Sequence, residues 1–297
     1  MRGPAERPVP RVVHDALEHC ARRAQFHVAW SAGLLGSWAR GDSAPVSDVD
    51  FFFIAPDEAR EEGAALQGEL LELGGDLQSE GGGEFSVFWT TRGDLAGGEY
   101  AVGRWPAYDR VALVRDGWCL AGPQVGPGDV RLPNSRALRR EAADFLLGTM
   151  MQRLSEKRFF DRLAGLDARG VQRMGPVVLT KSVLMPTRLL YQLCSQAESV
   201  PVAPVEEAVA VVHALEPEHA WWPLVRAALA WRRSPPGAGE ASEQAARLLR
   251  ECGGALYADL LGRYERAMTA EAQPELARSL SMLRRTIPGV ESSVRAS

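Results

Sequence analysis

Cysteine and histidine are scarce in this chain of 297 residues, with four of the first and five of the second. Cys20, Cys119, Cys194 and Cys252 stand far apart and form no paired metal spacing. That excludes a disulfide scaffold or a zinc ribbon and fits unpaired thiols in a reducing cytosol. The histidines are scattered, and none has a partner spacing that points to zinc or to a catalytic dyad. No apolar run approaches the length of a membrane span, and residues 1–20 are too polar for a secretory signal. A cytoplasmic protein with no membrane contact is therefore expected. Charge of one sign is also lacking: 34 Lys and Arg against 38 Asp and Glu leave a formal net charge of −4. A generic nucleic-acid binder carries a basic face, so nucleic acid is not expected as a partner, apart from a tRNA end as substrate.

What remains is the composition of an ordinary globular protein, 46% hydrophobic and 24% charged. The chain is long enough for two domains, each with its own core. Helical spacing of Val12, Val13, Ala16, Leu17 and Cys20 predicts a first amphipathic helix over 11–25. Apolar runs predict strands over 27–35 and 50–55, with a turn and a short helix between them. A helix over 57–73 starts at Pro56-Asp57 and is stopped by Gly74-Gly75. Gly81-Gly82-Gly83 opens a third strand over 84–90, rich in aromatic and β-branched residues. Tyr108 to Val114 reads as a further strand, with Arg115-Asp116-Gly117 as a turn before Trp118-Cys119-Leu120. These pieces suit a mixed sheet with helices on one face. Residues 121–133 are dense in Gly and Pro and read as a linker. Beyond them helices are predicted over 135–164, 174–197, 204–215, 217–232, 240–262 and 272–285. The expected organisation is α/β (α+β) over 1–122, followed by an all-helical domain over 134–290.

The most informative stretch lies between the first two strands. Gly36-Ser37 is a small-residue turn leaving one apolar run, and Asp48-Val49-Asp50 opens the next, with a ten-residue loop from Trp38 to Ser47 between them. Strand side chains alternate faces, so Asp48 and Asp50 point the same way, about 6–7 Å apart. Two carboxylates at a strand end can hold Mg²⁺, which takes oxygen ligands and bridges substrate phosphates. Gly36 allows close approach of the backbone to a phosphate, and Ser37 adds a hydroxyl beside its own N–H.

This constellation resembles the nucleotidyltransferase superfamily of DNA polymerase β, over roughly residues 30–55, including Ala39-Arg40-Gly41 and Ser47 as flanking words. Within it the chain is most similar to the bacterial antibiotic and minimal nucleotidyltransferases, whose α/β half followed by a helical half matches the layout above. The resemblance implies a polymerase-β-like first domain that moves a nucleoside monophosphate, AMP from ATP or the equivalent from another nucleoside triphosphate, onto a hydroxyl. Asp48 and Asp50 would ligate two Mg²⁺ ions, while Gly36 and Ser37 would hold the phosphates. Arg40 would add charge there, or be a solvated surface arginine. The family also asks for a third carboxylate on the neighbouring strand. Ser86 occupies that register, and Glu84 lies two residues earlier on the same face, so either Glu84 serves or the role is vacant. Asp109 and Asp116 are weaker substitutes. Lys181, on an apolar helix of the second half, would reach the triphosphate or snorkel at the surface, and Arg188 is read with the same reserve.

The acceptor implied is a small molecule of aminoglycoside-like character. Transfer to a protein side chain or a tRNA end, as in toxin–antitoxin systems, stays open, as does a non-catalytic nucleotide-binding regulator that lost the third acid. The oligomeric state is open too. Trp221, Trp222 and Trp231 read as core or as an acceptor pocket. Glu206, Glu207, Glu216 and Glu218 read as a solvated charge run or as a surface that attracts a cationic sugar.

Overall fold

The computed structural model describes residues 9–22, 30–44, 47–79, 84–98, 106–155, 165–194 and 202–287. Parts of the expected elements, at 23–25, 27–29, 81–83, 156–164 and 195–197, lie outside the described residues. The chain divides into two compact units, Met1–Pro133 and Asn134–Ser297.

The first unit is α+β. Its elements are α1 (Arg11–Arg22), β1 (Ser31–Leu34), α2 (Gly36–Arg40), β2 (Val49–Ala55), α3 (Arg60–Ser79), β3 (Phe85–Thr91), α4 (Arg92–Gly97), α5 (Ala107–Asp116) and β4 (Trp118–Ala121). The strands form one mixed sheet in the order β3-β2-β1-β4. β1 runs antiparallel to both of its neighbours, and β2 pairs with β3 in parallel.

Phe51, Phe52, Phe53 and Ile54 are all buried, because both faces of the sheet are covered. Phe51, Phe53, Val87 and Trp89 pack on one side with Val13 and Ala16 of α1 and Leu66 and Leu70 of α3. Phe52, Ile54 and Phe88 pack on the other with Leu95 of α4, Leu113 of α5, Val125 and Val130. Each such side chain stabilises the fold by about 1.5–3 kcal/mol. Helices on one face only were expected; the second layer comes from α4, α5 and the segment after β4.

Three readings of local structure are corrected here. Residues 107–116 form a helix rather than a strand and turn. Its inward positions include Ala107, Arg110 and Leu113 at helical spacing, and a buried arginine in that stripe disguises the period. Arg110 Nη1 donates to the carbonyls of Gly98 (3.3 Å) and Arg131 (3.2 Å). Next, α3 continues through Gly74-Gly75 to Ser79. A Cβ on Gly74 would come within 2.7 Å of the Phe85 side chain, so the glycine serves close helix–strand approach rather than termination. Finally, the Gly/Pro-rich segment after β4 is no free linker, since Val125 and Val130 lie in the first unit's core.

Among the described residues the second unit consists of helices α6 (Ser135–Ser155), α7 (Ala168–Cys194), α8 (Val205–Leu215), α9 (Trp222–Arg233), α10 (Glu240–Ala270) and α11 (Pro274–Arg285). α7 is interrupted at Gly175, whose φ of 70° and ψ of 162° precede Pro176. Trp221 and Trp222 are core residues, each 1% exposed, packed with Leu256, Leu260 and Tyr264; Trp231 sits at the margin of the same core. Two tyrosines pin α10 to α7 across this core: the Tyr257 hydroxyl donates to the Ser182 carbonyl (2.7 Å) and the Tyr264 hydroxyl to the Leu189 carbonyl (3.1 Å). Among the described residues no helix is long and apolar enough to cross a membrane.

Candidate functional site

The turn and the acid pair meet at one end of the sheet. β1 ends at Leu34, and the Leu35 N–H donates to the Asp50 carbonyl (2.8 Å), which carries the exit of β1 alongside the start of β2. Gly36 then takes a φ of +65°, a conformation that L side chains rarely adopt. A Cβ at this position would stand 2.8 Å from Asp50 Oδ2. Glycine is thus required twice, by its dihedral and by the carboxylate against its Cα. Ser37 begins the body of α2, and its carbonyl accepts from the N–H groups of Gly41 (2.9 Å) and Asp42 (3.0 Å), which closes the short helix.

Asp48 immediately precedes β2 and Asp50 is its second residue, with buried Val49 between them. The parallel register pairs Asp50 with Ser86 and Val49 with Phe85. One step earlier, the Val49 N–H donates to the Glu84 carbonyl (2.9 Å) and the Glu84 N–H to Asp48 Oδ1 (3.1 Å). The Asp48 carboxylate therefore caps the start of β3. Glu84 is exposed beside Asp48, and Ser86 is buried beside Asp50.

Arg40 is held by carboxylates. Its guanidinium meets both oxygens of Asp42 at 3.2 Å and Asp116 Oδ2 at 3.6 Å. Asp116 ends α5 and is also bound by Arg115 (2.6 Å). With its side chain only 19% exposed, Arg40 is not a solvated surface arginine, and Asp116 is more than a turn residue. Lys181 lies in the second unit, half-buried on α7 between Thr180 and Ser182.

The donors at the sheet end are hard oxygens, and the cradle against Asp50 is one that a Cβ would fill. Mg²⁺ commonly takes one or two carboxylates, keeps several waters and shares substrate phosphates, so this pair fits it better than a closed protein cage would. Asp48 and Asp50 would hold the ion, with Glu84 nearby.

A second polar cluster went unread in the sequence. Glu216, His219 and Asp259 bring three ligand-type atoms within 4.8 Å of one another. His219 Nε2 is 2.7 Å from Glu216 Oε2 and 3.9 Å from Asp259 Oδ2. The Glu216/His219 spacing is visible in the chain, but Asp259 arrives from α10 through tertiary packing. Arg263 already fills the cluster: it binds Glu216 with both terminal nitrogens and donates from Nε to Asp259 Oδ1 (2.8 Å). The hydrogen bonds from Arg263 hold the Glu216 carboxyl down at about 2, with His219 contributing. Its guanidinium occupies the place of a metal ion. Glu206 is likewise paired, with Arg232 (2.6 Å). Glu206 and Glu216 are thus not members of a solvated charge run.

Compared with known proteins, the chain matches no protein-family profile and no curated protein.

Proposed function

We propose that this protein is a Mg²⁺-dependent nucleotidyltransferase of the polymerase-β-like kind. It transfers a nucleoside monophosphate, AMP from ATP in the first instance, to a hydroxyl of a small molecule. The observation that carries the reading is the packing of the Asp50 carboxylate against Gly36, which joins the phosphate-type turn to the acid pair. Nucleotidyl transfer needs little covalent chemistry from the protein: an acceptor oxygen attacks the α-phosphate in line and pyrophosphate leaves. Bound Mg²⁺ supplies charge stabilisation for the attacking and leaving oxygens. Asp48 and Asp50 hold it, and the Gly36-Ser37 turn offers backbone N–H groups and a hydroxyl to the β- and γ-phosphates. Glu84 takes the acceptor proton in this reading. The aminoglycoside-like acceptor class is assigned by the family resemblance alone.

One observation favours a second reading. Ser86 rather than an acid pairs with Asp50, as a nucleotide-binding regulator without chemistry would have it.

The test is transfer of α-labelled nucleoside monophosphate from each triphosphate, with Mg²⁺, to a panel of small-molecule and macromolecular acceptors. Asp48→Asn and Asp50→Asn are expected to abolish transfer while leaving the melting temperature near that of the wild type. Undiminished transfer in either variant removes the metal assignment. Mg-nucleotide binding without transfer to any acceptor selects the regulator.

A further inference from the structure

On α10, Arg263, Arg266, Ala267 and Ala270 recur at intervals of three and four residues, which places them along one side of the helix. They line an open cleft of about 370 Å³ together with Arg139 of α6, Leu193 near the end of α7, and Glu271, which caps α10. All of these residues belong to the second unit. The lining thus combines guanidinium groups with an apolar wall of Leu193, Ala267 and Ala270.

The three arginines are not equally engaged. Arg263 is taken up by the protein: its terminal nitrogens bind Glu216, and its Nε donates to Asp259 Oδ1 (2.8 Å). Arg139 is held through Nε alone, which donates to Glu271 Oε1 (2.6 Å). Glu271 Oε2 is buried and accepts no hydrogen bond among the described residues. That carboxylate therefore leaves the edge of Arg139 with the two terminal nitrogens untaken. Arg136 secures the same joint between α6 and α10 by donating to the Glu271 carbonyl (2.6 Å). Arg266 is exposed and has no hydrogen-bond or ion-pair partner among the described residues.

Two donor edges on different helices, Arg139 and Arg266, therefore face one cleft. A phosphate group presents three terminal oxygens in a tetrahedral arrangement, enough to accept from both forks, whereas a carboxylate presents two in one plane. The volume is that of a small-molecule pocket rather than of a bare anion. We propose that this cleft binds a small phosphate monoester, with its phosphate on Arg139 and Arg266 and its carbon skeleton against Leu193, Ala267 and Ala270. The inference concerns the second unit alone and does not depend on the reading of Asp48 and Asp50.

Calorimetry of the full-length protein with ribose 5-phosphate tests it, at low ionic strength and with a chelator present to silence divalent cations. The wild type should bind the ester. Arg266→Gln, at an exposed side chain, should bind it roughly tenfold more weakly with an unchanged melting temperature. Arg247→Gln makes the same change of charge on an exposed part of α10 outside the cleft, and should bind like the wild type. Asp48→Asn should bind like the wild type as well. No binding at millimolar ester would overturn the proposal, and so would equal weakening by Arg266→Gln and Arg247→Gln, which would mean attraction to surface charge. Loss of binding in Asp48→Asn would move the ester to the first unit and overturn it too. Acetate bound as tightly as the ester would remove the phosphate assignment, and inorganic phosphate bound as tightly would remove the role of the apolar wall.

Discussion

The two units handle charge in different ways. In the first, Asp48, Asp50 and Glu84 stand at the open end of a sheet whose both faces are filled with aromatic and aliphatic side chains. Strand pairing fixes their spacing, and the backbone N–H of Glu84 orients one of them. In the second, Glu216, His219 and Asp259 come together from the end of α8, the turn after it and α10, and Arg263 satisfies them. The His219 ring stacks on Trp221 at 5.0 Å, and the Trp222 Nε1–H donates to the Glu216 carbonyl (2.7 Å), so this half-buried cluster is anchored to the core. A three-ligand grouping by distance is therefore not a site in itself. In the second unit Arg263 already supplies the counter-charge.

Glu84 gives the sharpest way to break that contrast. If it takes the acceptor proton, Glu84→Gln lowers turnover on the order of 10²–10⁴-fold with little change in nucleotide affinity. Ser86→Asp then adds nothing, since it puts a further carboxylate against Asp50. If the role is vacant, Glu84→Gln is nearly silent and Ser86→Asp, in register with Asp50, raises transfer. Rates of both variants, with one acceptor and one triphosphate, decide between these outcomes.

A smaller effect tests the turn. Gly36→Ala introduces a left-handed alanine, costing about 1–2 kcal/mol, and forces its Cβ against Asp50 Oδ2 at 2.8 Å unless the carboxylate moves. Both the melting temperature and the affinity for Mn²⁺, a probe for Mg²⁺, should fall. A loss of stability with metal affinity intact would mean that the glycine serves the fold only.

The sheet was legible because its strands carry their own signal. Phe51-Phe52-Phe53-Ile54 is buried on both sides and so is apolar without interruption, and Phe85 to Thr91 is buried throughout and rich in aromatic and β-branched residues. The Gly36-Ser37 and Asp48/Asp50 words were legible because a short loop joins them, leaving little freedom in how they meet. The helix at 107–116 was not, since Arg110 occupies an inward position where it meets the Gly98 and Arg131 carbonyls, which lie outside the helix. Nor was the role of Gly74, which depends on Phe85 across the helix–strand contact. The ties of Arg40 to Asp116, and of Asp259 and Arg263 to Glu216, join residues far apart in the chain, and no local pattern announces them. Sequence reading reached what is set within one or two neighbouring elements.

The smallest expected effect belongs to the second unit and tests whether its charges are structural. Glu216 is held at about 2 in the folded protein against an ordinary 4.5, chiefly by its hydrogen bonds from Arg263. A carboxyl depressed by folding contributes stability that is fully present above its unfolded value and is lost as the pH falls through the folded value. The contribution of Glu216 should therefore be constant above about 4.5 and fade as the pH drops toward about 2. Other carboxylates titrate in the same range, so the informative quantity is a difference between proteins. Glu216→Gln keeps the shape but loses the charge, and hydrogen bonds to charged groups are worth on the order of 1–3 kcal/mol. Its melting temperature should lie below that of the wild type by a steady amount at neutral pH, and the gap should close under acid. A gap that stays the same at every pH would mean that the pairing with Arg263 contributes no net stability. The cluster would then be no part of what stabilises the frame.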